Sequence, residues 1–153
     1  MSVPAKAIDV ELTEEKKTDI VSNCSQIHES LVTLQHNDSR ARVYLGRYFE
    51  IILTDYITPL NVWLVGHSKS SAGLVENQNN FTEGRRKFIN DYITYQKGLE
   101  ELVAIDCKVE PVRFYEKLEN VRGERALVAK DVVALRKLMD EQVKLVTTLK
   151  EKI

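Results

Sequence analysis

The side chains best suited to chemistry in this chain belong to three histidines and two cysteines, residue types that bind metals or act as nucleophiles. A helical di-iron site needs a glutamate three residues before an inward-facing histidine. Those positions hold Ser25, Thr33 and Leu64 instead. The sequence also lacks His-Glu-x-x-His, Cys-x-x-Cys, a glycine-rich phosphate loop and a nucleophile elbow. We therefore predict no metal, no cofactor and no enzymatic activity.

The composition favours one folded domain with a strongly charged surface. The 153 residues are 43% apolar and 29% charged, and six glycines and three prolines leave little material for the turns of a β-sandwich. Lysine and arginine total 22 against 23 acidic residues, so we expect no nucleic-acid partner. The most apolar run, 56–65, is too short to cross a membrane and is interrupted by Thr58, Pro59 and Asn61.

Two long helices are indicated by apolar residues that recur in steps of three and four. In the last third of the chain, ten of twelve positions with this spacing are apolar: Phe114, Leu118, Val121, Arg125, Val128, Val132, Leu135, Met139, Gln142, Val146, Leu149 and Ile153. In the middle third, Leu74, Phe81, Phe88, Tyr95 and Leu102 recur every seven residues, with Tyr92 and Leu99 at intervening positions. The pattern predicts helix B at about 72–106 and helix C at about 111–153, with Pro111 in the first turn of helix C.

The first third of the chain has two interpretations. The same spacing runs through Ile20, Cys24, Ile27, Leu31, Leu34, Asp38, Ala41, Leu45, Tyr48 and Ile52. A polar run at 36–39 would break it and give a four-helix bundle. Because a loop has no reason to preserve this phase, we favour one helix A at about 13–65, bent near Pro59. The predicted fold is an all-α, elongated, antiparallel three-helix bundle with coiled-coil packing, which spans 13–153 after a disordered or extended N-terminus at 1–12.

The two cysteines provide a test of this register. Helix A rises 41 residues from Cys24 to Val65, and helix B returns 35 residues from Ala72 to Cys107. The two cysteines then lie within roughly 9 Å of each other along the bundle axis. We expect a Cys24–Cys107 disulfide, which would indicate an oxidising compartment. The alternative is two buried, reduced cysteines, which is the usual state inside cells.

The same register brings together the polar residues within the apolar pattern. Asp38 of helix A and Arg125 of helix C fall at matching heights, and we predict that they form a buried polar layer. Gln142 falls near Asp55, Asn77 and Gln78. Layers of this kind set the register of a bundle more often than they perform chemistry.

Four residues are candidates for recognition of a partner. Trp63 and His67 lie at the predicted turn between helices A and B, although plain packing is the favoured role for Trp63. Arg85 and Arg86 belong to a basic group on helix B that would suit a phosphate or an acidic partner. A solvated charged surface is the favoured interpretation of this group, and of the arginines at 40, 42 and 47.

Short stretches of the chain resemble a group of uncharacterised helical proteins of candidate-phylum, reduced-genome bacteria. They are Arg42-Val-Tyr-Leu-Gly46, Ile57-Thr-Pro-Leu-Asn61, Ile105-Asp-Cys-Lys108, Pro111 and Phe114-Tyr115. The resemblance covers about 24–150. It implies export, or anchoring by a membrane segment ahead of the bundle, and it implies no known activity. Residues 1–11 contain no apolar signal-peptide core, so the chain either is cytosolic or begins after such a segment.

These observations favour a non-enzymatic, extracytoplasmic helical bundle that serves as an interaction, scaffold or spacer module. It would lie in the periplasm or on the cell surface, with a protein partner and a possible membrane tether outside this chain. One alternative is a ligand-sensing helical domain of a membrane-anchored protein. Another is a cytosolic coiled-coil adaptor with reduced cysteines. The sequence leaves open whether the protein is a monomer or a homo-oligomer.

Overall fold

A computed structural model describes residues 12–69 and 71–152, most of which are helical and none of which is in a β-strand. The elements, in chain order, are α1 (Glu14–Ser22), α2 (Cys24–Ile51), a π-helical segment (Ile52–Ile57), α3 (Thr58–Gly66), α4 (Ala72–Val103) and α5 (Pro111–Glu151). The disordered or extended N-terminus predicted at 1–12 lies outside the described residues except for Leu12. None of the described helices is long and apolar enough to cross a membrane.

The region predicted as helix A is helical from Glu14 to Gly66 except at Asn23. The Asn23 amide donates to the Asp19 carbonyl at 3.0 Å, and the Asn23 carbonyl accepts from the Ile27 amide at 2.9 Å. The helical hydrogen-bond pattern therefore continues across this residue. Residues 36–39, where the alternative interpretation placed a break, lie within α2.

The π-helical segment has a local cause at Pro59. Proline has no N–H, and its ring crowds the carbonyl four residues earlier in an ordinary α-turn. The turn before it widens, so that the Thr58 amide donates to the Leu53 carbonyl, five residues back. Inward positions consequently recur every four residues, at Phe49, Leu53 and Ile57, all of which are buried.

The structure corrects the predicted inward face of helix A at two positions. The predicted pattern placed Tyr48 and Ile52 inside the bundle. In the structure, Phe49 and Leu53 are buried, Ile52 is half-buried and Tyr48 is 37% exposed. At Ile52 and Leu53 the wider π-helical turn departs from an even three–four spacing. Tyr48 and Phe49 precede that segment in α2, where a regular α-helix drifts by ~20° per heptad from a seven-residue repeat.

The core is centred on α4. Its heptad residues Phe81, Phe88, Tyr95 and Leu102 are buried between the other helices. On α5 the buried residues also recur every seven positions, at Phe114, Val121, Val128, Leu135 and Gln142. Phe49 of α2 meets the edges of Phe81 and Phe88, with ring centroids 6.2 and 5.6 Å away. Helix α4 packs along α5 and α2, and α1 packs on α5, whereas backbone contacts between α2 and α5 are sparse.

Candidate interaction surface

The two cysteines form a disulfide between the start of α2 and the loop that follows α4. The Cα atoms of Cys24 and Cys107 are 5.6 Å apart, and 83 residues separate them in sequence. Both residues are buried. The predicted pairing is therefore present, and it fixes the α1–α2 junction to the α4–α5 loop.

Asp38 and Arg125, predicted to lie at matching heights, meet between α2 and α5. Arg125 Nε lies 2.8 Å from Asp38 Oδ2, and Arg125 Nη2 lies 3.3 Å from Asp38 Oδ1. Two tyrosines of α4 complete the cluster: Tyr95 Oη donates to Asp38 Oδ2 at 2.6 Å, and Tyr92 Oη donates to the Asp38 carbonyl. The pair is less buried than predicted, because the Arg125 side chain is 53% exposed and that of Asp38 is 17% exposed.

The electrostatics of this cluster follow from its hydrogen bonds. Burial raises the pKa of Asp38, but the hydrogen bonds from Arg125 and Tyr95 outweigh that effect and leave the pKa below its ordinary value. Burial and the nearby Asp38 charge raise the pKa of Tyr92 to about 12. Burial and the hydrogen bond to Asp38 also raise the pKa of Tyr95, so both tyrosines stay protonated at neutral pH and act as donors. The cluster joins three helices without offering a group that could exchange a proton near pH 7.

A layer of three buried amides and the half-buried Gln78 lies toward the opposite end of α4. Asn77 Nδ2 donates to Gln142 Oε1 at 2.8 Å, Gln142 Nε2 donates to Asn61 Oδ1 at 3.4 Å, and Asn61 Nδ2 donates to Gln78 Oε1 at 2.7 Å. The sequence placed Gln142 near Asn77, Gln78 and Asp55. In the structure Asn61 of α3, rather than Asp55, is the residue of predicted helix A that accepts a hydrogen bond from Gln142.

The four predicted recognition residues separate into two pairs. The rings of Trp63 and His67 stack with centroids 4.1 Å apart, and Trp63 is 53% exposed. Arg85 Nη2 lies 3.5 Å from Glu50, and Arg86 Nε lies 3.0 Å from Glu83. The charges of both arginines are thus offset by neighbouring carboxylates, whereas the Trp63 side chain is open to solvent.

A larger exposed surface lies on α2, and the sequence analysis missed it. We call it the α2 outer face and define it by the residues that line one shallow concavity of about 780 Å³: His36, Ser39, Arg40, Val43, Tyr44, Arg47, Tyr48 and Ile51. Tyr44 and Val43 are 70% and 69% exposed. The rings of Tyr44 and Tyr48 stack at 6.4 Å, with an angle of 9° between their planes.

The missed signal was an excess of apolar residues on one helix. Ala41 and Leu45 belong to the predicted inward face, yet Val43, Tyr44 and Ile51 fall on another side of the same helix. One helix packed on one neighbour needs a single apolar stripe. A second stripe interleaved with arginines therefore indicates a second contact surface.

Between α2 and α5 lies a groove of about 490 Å³. Its walls are Ala41 and Leu45 on one side and Ala126, Ala129 and Val132 on the other, over a floor of Tyr92 and Tyr95. The two helices do not pack closely against each other here. Because the alanine side chains are small, they leave the space between the helices unfilled. The Asp38–Arg125 pair lies in the same groove.

Neither the described histidines nor the carboxylates converge on a metal site: within residues 12–69 and 71–152, no group of three or more His, Cys, Asp or Glu side chains is placed to hold an ion. Comparisons of the chain with protein-family models, with curated proteins and with solved structures find no match. The candidate site therefore rests on the geometry of this chain alone.

Proposed function

We propose that this chain is a non-enzymatic interaction module that works outside the cytoplasm. In this proposal α1, α2 and α3 act as one long arm of an antiparallel three-helix bundle with coiled-coil packing against α4 and α5. The helical backbone through 36–39 and the heptad spacing of buried residues on α4 and α5 support that architecture. The bundle would serve as a rigid scaffold that presents a docking surface.

The observation that carries the proposal is the α2 outer face. Exposed apolar side chains that cluster on one helix and are bordered by polar residues mark a candidate contact surface. Tyrosine and arginine, both present here, are enriched at protein interfaces and among the residues that dominate binding energy. The stacked Tyr44 and Tyr48 rings restrict each other, so less conformational entropy is lost when a partner covers them.

The Cys24–Cys107 disulfide supports the location outside the cytoplasm. Cytosolic thiols are kept reduced, whereas disulfides persist in the periplasm and at cell surfaces. Mass measurement of protein from its native cells, after alkylation without a reductant, tests this point. We expect both cysteines to be oxidised. Two alkylated thiols would instead support a cytosolic adaptor.

The docking surface is tested by site-specific photocrosslinking in the native cells. A photoreactive phenylalanine analogue replaces Tyr44 in one variant and Tyr56, an exposed tyrosine outside the α2 outer face, in a matched control. We expect a defined crosslinked protein from position 44 that position 56 does not give. That protein, once purified, should bind the isolated chain, and Tyr44→Ala should weaken the binding. Identical crosslinks at both positions, or no binding by the purified protein, would contradict the proposal.

A second candidate function is ligand sensing, which the groove between α2 and α5 favours. Its volume and apolar walls suit a small molecule held between helices, and a ligand there would change the separation of α2 and α5. Native mass spectrometry of protein from its own cells tests this function. A ligand-sensing domain should carry an added mass that Ala129→Trp, which fills the groove, abolishes. Protein of unmodified mass before and after the substitution would exclude this candidate.

A further inference from the structure

We infer that the α2 outer face binds an acidic, amphipathic helix of a partner protein. This inference rests on the proposed function and specifies the chemistry of the partner. Three features carry it: the charges on the surface, the helical spacing of its residues and the two stacked tyrosines.

The positive charge of the α2 outer face favours a partner with negative charge. Among the residues that the structure describes, no carboxylate lies within ion-pair distance of Arg40 or Arg47. By contrast, Arg85, Arg86 and Arg125 each face a carboxylate. The α2 outer face therefore carries two uncompensated positive charges beside apolar side chains. An acidic partner complements this field, whereas a second copy of the same face would oppose arginine with arginine.

The spacing of the residues on the α2 outer face favours a helical partner. Arg40, Tyr44, Arg47 and Ile51 follow one another in steps of four, three and four, so they form a straight stripe along α2. With His36 the stripe extends about 22 Å, or four helical turns. A second helix laid along it could place apolar side chains between the tyrosines and carboxylates beside the arginines. The described residues include no strand edge to which an extended peptide could add.

The tyrosines provide the anchor. Tyr44 and Tyr48 present stacked ring faces and edges to solvent, with Val43 and Ile51 beside them. Such a cluster fits leucine or phenylalanine side chains that recur every three to four residues on a partner helix. We therefore expect apolar contact with the tyrosines to provide affinity and the arginines to provide selectivity for acidic helices.

The test uses two synthetic helices as probes. The acidic probe is a fluorescein-labelled peptide of about 21 residues, three heptads with leucine at the inward positions and glutamate beside them. Its twin has lysine in place of every glutamate. Fluorescence anisotropy measures the binding of both peptides to the full chain. We expect the acidic probe to bind at least ~10-fold more tightly than its twin, and to weaken as salt rises.

Two pairs of variants locate the binding. Arg40→Glu/Arg47→Glu should reverse the preference between the probes, whereas Lys130→Glu/Arg136→Glu, with the same change in net charge on α5, should leave it unchanged. Tyr44→Ala should weaken binding of the acidic probe at least ~5-fold, and Tyr56→Ala should leave that binding unchanged. These positions are solvent-exposed, so the variants should fold, and circular dichroism verifies that they do. Equal affinity for both probes, or an unchanged preference in Arg40→Glu/Arg47→Glu, would overturn the inference.

Other outcomes identify other occupants of the same face. Concentration-dependent dimerisation in sedimentation, lost in Tyr44→Ala, would replace the partner helix with a second copy of this chain. Binding to phosphatidylglycerol vesicles, lost in Arg40→Glu/Arg47→Glu while neither peptide binds, would replace it with an anionic membrane surface. A specific crosslink at position 44 combined with equal probe affinities would leave the proposed function standing and reject only the acidic partner.

Discussion

Arg125 Nε on α5 lies 2.8 Å from Asp38 Oδ2 on α2, and it bridges two helices whose backbones otherwise make sparse contact. Tyr95 donates to the same oxygen atom at 2.6 Å. The shared carboxylate therefore couples α2, α4 and α5 at one height. It also makes one contribution to stability dependent on the protonation of Asp38.

The first prediction concerns Arg125→Met. Removal of this half-exposed pair should lower the free energy of unfolding at pH 7 by about 1 kcal/mol. The pKa of Asp38 is lower in the folded protein than in the unfolded chain, so the stabilisation is present above the unfolded pKa, about 4, and is lost as pH falls through the folded pKa. Urea denaturation should show a difference from the parent protein at pH 7 that becomes smaller at pH 2, on the acid side of the unfolded pKa.

Arg136→Met is the matched control for that measurement, because Arg136 is exposed on the same helix and has no ion pair among the described residues. It should leave stability unchanged at both pH values. If the effect of Arg125→Met were equally large at pH 2 and pH 7, its cause would be lost packing rather than the Asp38 charge.

The second prediction concerns Glu124, whose Oε2 atom is buried without a hydrogen-bond partner. Burial raises the pKa of this carboxyl above its ordinary value. A raised folded-state pKa costs stability once the pH exceeds the unfolded pKa, and the full cost applies above the folded pKa. Glu124→Gln should therefore increase the free energy of unfolding at pH 7, by less than about 1 kcal/mol because part of the side chain remains in contact with solvent.

The gain from Glu124→Gln should shrink on acidification and vanish below about pH 4, where both states of the parent protein are protonated. Chemical denaturation across this pH range measures it. Glu116→Gln, an exposed substitution on the same helix, serves as the control and should have no effect. A loss of stability in Glu124→Gln at pH 7 would show that the charged carboxylate has a favourable partner.

The third prediction compares two glycines within helices. A Cβ atom at Gly123 would meet no heavy atom within 4 Å, so Gly123→Ala should stabilise the protein by about 1 kcal/mol through helix propensity. A Cβ atom at Gly98 would collide with Glu124 Oε2 and lie 3.3 Å from Val121 Cγ2. Gly98→Ala should therefore stabilise the protein less than Gly123→Ala does, or destabilise it. Thermal unfolding should raise the midpoint for Gly123→Ala by about 2–4 °C, and an equal rise for Gly98→Ala would contradict the close packing.

The fourth prediction concerns the disulfide. A cross-link between residues 83 apart removes a large amount of conformational freedom from the unfolded chain. The chain-entropy model gives a stabilisation of about 4–5 kcal/mol. Addition of a reductant should lower the free energy of unfolding by this order and should have no effect on Cys24→Ala/Cys107→Ala. Hydrogen exchange should rise first in α1 and the α4–α5 loop, because the bond connects these parts; a uniform rise would contradict this.

Much of this architecture could be predicted from residue spacing. Phe81, Phe88, Tyr95 and Leu102 recur every seven residues, and all four are buried on α4. Counting residues up one helix and down the next placed Cys24 level with Cys107. The same count placed Asp38 beside Arg125, since rise per residue is constant along regular helices.

The π-helical segment and the α2 outer face could not be predicted in the same way. Pro59 indicated a bend, but the choice between a kink and a widened turn depends on how the displaced amides find new carbonyls. That choice decides which residue of 52–57 faces the core, and Leu53 rather than Ile52 is buried there. Tyr48 was assigned to the inward face because hydrophobicity alone does not distinguish an internal contact surface from an external one.

The covalent link between Cys24 and Cys107 also determines how the chain would carry mechanical load. When the two ends are pulled apart, tension passes along α1, crosses the sulfur–sulfur bond and leaves along α5. The stretch between the cysteines, including all of α2, α3 and α4, lies off this load path. Single-molecule stretching of the oxidised protein should therefore leave the 83-residue segment between the cysteines unextended, whereas reduction should release about 280 Å of additional contour length. Force applied to the two ends of the oxidised chain would therefore bypass the segment between the cysteines, which contains the α2 outer face.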